Sequence, residues 1–188
     1  MKNKNIEIRK TQSINSDNRK VSGYALLFNS RSEDLGFFEI IKPTAIDENT
    51  IKRSDIFAKF NHEDDKILAR SKNGNGSLSL TIDENGLFYE FDAPNTIYGD
   101  MLIEHIKRGE ITSSSFAFTV SKGGDKWEKR DGVMYREINK IDLLFDVSPV
   151  FTPAYNSTTC TNRNYEKALK EIELNEKLDE VEAELLLI

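Results

Sequence analysis

The sequence has a single cysteine, Cys160, among 188 residues. One cysteine cannot close an internal disulfide, so the fold must be held by burial and hydrogen bonding, as suits a reducing compartment. Its neighbours Thr158, Thr159, Thr161 and Asn162 read as an unstructured exit from the domain, a poor setting for a cysteine nucleophile. Histidine is almost as scarce, with only His62 and His105. Two histidines and one cysteine cannot build a common structural zinc site, and the carboxylates lack EF-hand spacing, so neither a metal nor another cofactor is expected. The formal net charge is −6 and no dense cluster of Lys and Arg exists, which argues against a nucleic-acid partner. No apolar run approaches the roughly 20 residues that cross a bilayer. The longest is Leu185-Leu186-Leu187-Ile188. The basic start, Met1-Lys2-Asn3-Lys4-Asn5, has no apolar stretch behind it, so neither a secretory signal nor a membrane partner is expected.

What is present is a series of short strand-like runs. Ile6 and Ile8 alternate with polar residues and suggest a short first strand. A clearer strand covers residues 21–28, another 36–41, and a third 55–61, where Ile56, Ala58 and Phe60 share a face. Between them Thr44, after Pro43, is a candidate N-cap for a short helix. Residues 77–82 and 87–91 flank Asp83-Glu84-Asn85-Gly86, a hairpin signal. Residues 97–108 switch to helical spacing, with Ile97, Met101, Leu102, His105 and Ile106 on one side and Gly109 as the residue beyond the end. Residues 112–120 and 133–145 return to strand composition. Many short strands with one clear internal helix predict an α+β, mostly β, barrel-like domain over residues 1–160.

The composition changes at about residue 160. Residues 165–188 contain no Gly or Pro and hold 3 Lys against 8 Asp and Glu. Leu174, Leu178, Val181, Leu185 and Ile188 fall in a heptad seam of about two repeats. This predicts an acidic, helical tail over residues 161–188 that packs little on the domain, either solvated or docked on a partner.

Three segments carry the residues that chemistry would need. In Ser113-Ser114-Ser115-Phe116-Ala117-Phe118, strand alternation puts Ser114 with Phe116, Phe118 and Val120 on the core face. Ser113, Ser115 and Ala117 take the other face, where a cleft would leave Ser115 available as a nucleophile. In Phe60-Asn61-His62-Glu63-Asp64, His62 closes a strand beside carboxylates and is a candidate base. His105, the alternative, sits on the apolar side of the internal helix. In residues 140–147, alternation places Ile141, Leu143, Phe145 and Val147 on one face and Asp142, Leu144 and Asp146 on the other. A carboxylate on such a strand needs a partner to offset its desolvation, and a histidine N–H would serve.

These segments, in this order, resemble the prohead proteases of tailed bacteriophages. The residues that carry the resemblance are Val21-Ser22-Gly23-Tyr24-Ala25-Leu26-Leu27-Phe28-Asn29, Asn61-His62, Gly109 through Phe118, and Leu144-Phe145-Asp146-Val147-Ser148-Pro149-Val150-Phe151-Thr152-Pro153-Ala154. The sequence departs from the family pattern at Ala117, where Gly is usual, and at Pro149, where an apolar residue is commoner. The resemblance implies a serine endopeptidase with a fold similar to herpesvirus maturational proteases, Ser115 as nucleophile, His62 as base and Asp146 as third member. The herpesvirus enzymes use a second histidine there, which only His105 could supply. It further implies action in the host-cell cytoplasm, inside the phage procapsid. The major capsid protein and the scaffold protein would be its substrates, with self-association and self-cleavage as further expectations. A non-catalytic procapsid scaffold or assembly module of the same fold is the competing reading, and a β-rich carbohydrate- or peptide-binding virion domain a third.

Overall fold

β-Branched and aromatic residues alternate with polar ones along most of the chain, and turn residues separate the runs. The computed structural model describes residues 6–11, 14–151 and 159–185. In chain order these form β1 (Glu7–Thr11), β2 (Ile14–Asp17), β3 (Lys20–Leu27), β4 (Phe38–Ile41), a single 3-10 turn (Pro43–Ala45), α1 (Glu48–Arg53), β5 (Asp55–Lys59), β6 (Ile67–Lys72), β7 (Asn75–Gly76), β8 (Leu78–Ile82), β9 (Gly86–Asp92), α2 (Ile97–Lys107), β10 (Ser113–Val120), β11 (Asp125–Arg130), β12 (Val133–Ile138), β13 (Ile141–Val150) and α3 (Thr159–Leu185). The class is α+β and mostly β. The strands pair as three open sheets, β1-β10-β13-β5-β6-β7, β11-β12-β4 and β2-β3-β9-β8, rather than as one closed barrel.

Several local signals act as the sequence suggests, and others act differently. Asp47, not Thr44, caps α1: its Oδ1 accepts from Thr50 N and Thr50 Oγ1, both at 2.8 Å. Thr96 caps α2, and Gly109 beyond its end has φ +72°. At the β8–β9 turn Asp83 Oδ1 accepts the N–H of Asn85 and of Gly86. Glycine is required at 86 for space: a Cβ there would meet the Leu26 carbonyl oxygen at 2.0 Å. Thr159 and Cys160 open α3 and are not an unstructured exit.

The pairing of β10 with β13 sets the faces of the central sheet. Val120 lies opposite Ile141, Phe118 opposite Leu144 and Phe116 opposite Val147, and all but Val120 are buried in the main core. The alternation expected along β13 therefore fails. Two bulges, at Asp142 and at Phe145, each insert a residue and flip the strand. Leu144 turns into the core at 1% exposure, while Phe145 is only half-buried. Beyond the second bulge Asp146 lies opposite Ala117, and Ser148 opposite Ser115, on the face away from the aromatic core.

On the other side of β13, β5 runs parallel, with Phe57 opposite Asp146. Ile56, Ala58 and Phe60 enter the core as the alternation predicts. After β5 the chain doubles back. Asn61 and His62 both adopt left-handed backbone, φ 54° and 62°, and Asn61 N–H donates to the Pro149 carbonyl at 3.0 Å. Asn tolerates this conformation better than most residues, and a histidine held there is strained.

A cluster of buried ions ties β1 to the second sheet. Arg9 donates to both oxygens of Glu39 at 2.6 and 2.8 Å, and to Glu7 at 2.9 Å. Arg136 donates to Glu7 and Glu39 and, through Nε, to Asp125 at 2.7 Å. Glu7, Glu39 and Arg136 are each at most 3% exposed. The tail does not stand clear of this region. Tyr165, Ala168, Leu169 and Ile172 of α3 pack on Phe37, Trp127 and Met134, with Tyr165 stacked on Phe37 at 5.7 Å. Leu174, Leu178 and Val181, on the opposite side of the helix, remain more than half exposed.

Two outcomes follow from this packing. Arg136→Met strips Glu7 and Glu39 of one of their two cations, and should lower the unfolding free energy by about 3–5 kcal/mol. Urea unfolding measures it; an unchanged midpoint would mean that the cluster adds nothing net. Asn61 is exposed, so its replacement tests the backbone alone. Asn61→Val should cost about 1–2 kcal/mol from the left-handed φ, whereas Asn61→Gly should stay within about 1 kcal/mol of the parent in the same assay.

Candidate active site

Three strands of the central sheet and the loop after β5 bring polar groups to one face. Asp146 is 5% exposed, and a carboxylate so deeply placed needs compensation. Three groups supply it. His62 Nδ1 lies 2.7 Å from Oδ1, Ser148 Oγ donates to Oδ1 at 2.8 Å, and the Lys59 ammonium sits 3.7 Å from Oδ2. Lys59 also pairs with Asp64 at 2.7 Å, and its hydrogen bond and charge hold the Asp64 carboxyl below the usual carboxylate range.

The doubled-back loop delivers His62. With two left-handed residues after β5, the chain turns back and the imidazole reaches Asp146 of β13. The Nδ1–Oδ1 distance is that of a hydrogen bond, but the two groups are not aligned for one. Both ring nitrogens are buried, and neither makes an aligned hydrogen bond among the described residues.

Ser115 occupies the same face of β10, directly across from Ser148 and two positions from the partner of Asp146. It is 2% exposed, so no open cleft lies over it in this conformation. Its hydroxyl donates to the Arg9 carbonyl of β1 at 2.8 Å. A pocket of about 390 Å³ beside β1 has Ser115 in its wall, together with Ile8, Lys10, Leu26, Leu27 and Leu35. The other two serines are placed differently. Ser114, on the core face, shares a 2.7 Å hydrogen bond with Tyr89, whose hydroxyl burial pushes well above its usual range. Ser113 lies opposite Val150 at the start of β10.

Of the candidates read from the sequence, the fold thus brings His62 and Asp146 into contact and sets Ser115 on the adjoining strand, its hydroxyl turned toward β1. His105 is engaged elsewhere: Nδ1 lies 2.5 Å from Glu110, and the ring packs edge-on against Phe151. The Cys160 side chain and the Pro153-Ala154 end of the motif lie outside the described residues. Two groups at the site escaped the sequence reading, Ser148 and Lys59. Alternation could have found both, because Ser148 is two residues from Asp146 on one strand, and Lys59 is two from Phe57, the residue opposite Asp146.

Comparison with known proteins agrees with the motifs. A sequence model described as caudovirus prohead serine protease matches residues 4–171. No curated protein matches the chain at a significant level. Among solved structures, the bacteriophage T4 capsid assembly protease gp21 is similar with a TM-score of 0.48 at 12% identity, covering 79% of this chain and 98% of that one. The family match spans most of the sequence, including all three segments that carry the candidate residues, and the chain belongs to the caudovirus prohead serine protease family.

Proposed function

We propose that the chain is a serine endopeptidase of capsid maturation in which Ser115 is the nucleophile, His62 the general base and Asp146 the residue that orients and stabilises the imidazole. Membership of the prohead protease family makes it a peptidase of procapsid maturation; the assignment of roles is our reading. The observation that carries it is the buried approach of Asp146 Oδ1 to His62 Nδ1 at 2.7 Å, on the sheet face that Ser115 shares. A desolvated carboxylate against a histidine favours the tautomer with the proton on Nδ1, and so leaves Nε2 as the base.

The chemistry then runs in two halves. Ser115 rotates from the Arg9 carbonyl toward Nε2, gives up its proton, and attacks the scissile carbonyl. The imidazolium formed is stabilised by Asp146 and returns the proton to the leaving amine, and water later releases the acyl group from Ser115 by the same base. The substrates we assign are the major capsid protein and the scaffold protein, with the chain itself as a further one. The site of action is the procapsid interior in the host cytoplasm. A herpesvirus-type protease architecture belongs to the same proposal.

A non-catalytic assembly module is disfavoured by the cost of the site. Burying Asp146 beside a histidine, and holding that histidine in left-handed backbone, both oppose stability, and a scaffold has no use for either.

The test is co-expression with the major capsid protein of the same phage, followed by intact-mass measurement of both chains. The parent should shorten the capsid protein, and Ser115→Ala and His62→Ala should leave it whole. Asp146→Asn, which preserves shape but removes the carboxylate charge facing the ring and presents an amide there, should slow cleavage by roughly 10³-fold or more. Capsid processing that persists in Ser115→Ala would refute the assignment.

A further inference from the structure

Ser148 has no role in the three-residue mechanism, yet it is the most enclosed polar group at the site. Its residue is 0% exposed. Its Oγ donates to Asp146 Oδ1 at 2.8 Å, the same oxygen that faces His62 Nδ1, and accepts the Lys59 backbone N–H at 3.3 Å. The hydroxyl therefore has a donor on one side that fixes its own orientation and one acceptor on the other. A carboxylate is free to turn about its last side-chain bond, and a turn would carry Oδ1 away from the ring. The bond from Ser148 sets that angle, while Lys59, 3.7 Å from Oδ2, favours the same orientation from the other end.

We propose that Ser148 is a positioning residue of the peptidase site: it holds Asp146 with Oδ1 against His62 Nδ1, and so acts on the reaction only through Asp146. This rests on the triad reading above. A merely structural role for a buried, satisfied serine would change stability and leave reactivity alone, so the two are separable.

The probe is a fluorophosphonate applied to the purified full chain. Ser115 Oγ forms a bond to phosphorus, the P–F bond breaks, fluoride leaves, and His62 takes the hydroxyl proton. No peptide substrate is needed. Mass spectrometry reports the labelled residue, and the time course separates the maximal rate from the concentration dependence. Ser148→Ala should lower the maximal rate about tenfold, the low end of what a hydrogen bond to a charged group is worth, with the half-saturating concentration unchanged. Ser148→Thr, which keeps the hydroxyl, should recover most of that rate. Thermal melting checks the fold, and Ser148→Cys replaces Ala if the smaller side chain disturbs it. Because Ser148 acts through Asp146, adding Ser148→Ala to Asp146→Asn should slow labelling no further. A Ser148→Ala rate equal to the parent, with Asp146→Asn slow, would overturn the positioning role and leave the triad intact. A further loss in the double variant would also overturn it, since Ser148 would then act by another route. Asp146→Asn labelling as fast as the parent, or no labelling of Ser115 when the probe is applied to the parent while it processes the capsid protein, would sink the triad reading and the inference with it.

Discussion

The antiparallel ladder between β10 and β13 fixes the rest of the site, and within it the bulge at Phe145 is the deciding feature. A strand places successive residues on opposite faces, so without that insertion Leu144 and Asp146 would share one face. One of two things would follow: Leu144 would leave the aromatic core, or the Asp146 carboxylate would enter it beside Phe116 and Phe118. The extra residue resolves the conflict. Leu144 packs opposite Phe118 and Asp146 emerges opposite Ala117. Ser148 and Ser115 then fall into register as a direct cross-strand pair. Ala117 lies between Ile8 of β1 and Asp146 at 3% exposure. A methyl group is evidently accommodated between β1 and Asp146.

The second constraint is electrostatic. Five ionic groups from β1, β4, β11 and β12 meet beside Phe118, and the Arg9 guanidinium lies 5.7 Å over that ring. Such a cluster contributes little net stability compared with an apolar core, because desolvation offsets much of the attraction. Its consequence is geometric. Glu7 and Glu39 each accept from both arginines, and Asp125 from Arg136, so β1 can pair with β10 only in the register that completes the set. That register puts Lys10 opposite Ser115 and the Arg9 carbonyl against its hydroxyl. The edge strand that covers the candidate nucleophile is thus located by charges that lie on the other face of the sheet.

Much of this was legible in the residues. Strand alternation separated Ser115 from Ser114, because the phenylalanines that follow define the core face. The pattern of Ile56, Ala58 and Phe60 oriented β5, and the Asn-His pair marked its end. What could not be read was set by contacts distant in sequence. The faces of β13 were misassigned beyond Asp142, since a bulge is a property of the ladder and leaves no composition signal in Leu143-Leu144-Phe145. Alternation does not mark β6, where a register shift buries the adjacent Leu68 and Ala69, nor β11, where charged residues dominate; Asp125–Arg130 is held by pairing and by Trp127 rather than by an apolar face. The tail was expected to stand free, on the strength of a seam at Leu174, Leu178 and Val181. That seam is indeed exposed, but Tyr165, Ala168, Leu169 and Ile172 form a second apolar face earlier in the helix and on its other side, and this one docks. Sequence periodicity shows that a face exists and cannot say which of two faces finds the partner.

The orientation of the Ser115 hydroxyl bears on how such an enzyme would be held in check. Turned toward Arg9, it is uncoupled from His62, whose Nε2 has no aligned partner among the described residues. A neutral hydrogen bond of this kind is worth about 0.5–1.5 kcal/mol net, and a serine rotates among staggered positions within nanoseconds. On that scale the contact with β1 lowers the population of the reactive rotamer by roughly tenfold at most, a small effect on any reaction at Ser115. Steric closure is the stronger effect. Ser115 is 2% exposed with β1 paired alongside it, and a peptide must reach its Oγ before any rotamer matters. For Ser115 acting as the nucleophile we propose above, access of a peptide to the face between β10, β13 and the His62 loop thus limits attack more than the serine rotamer does.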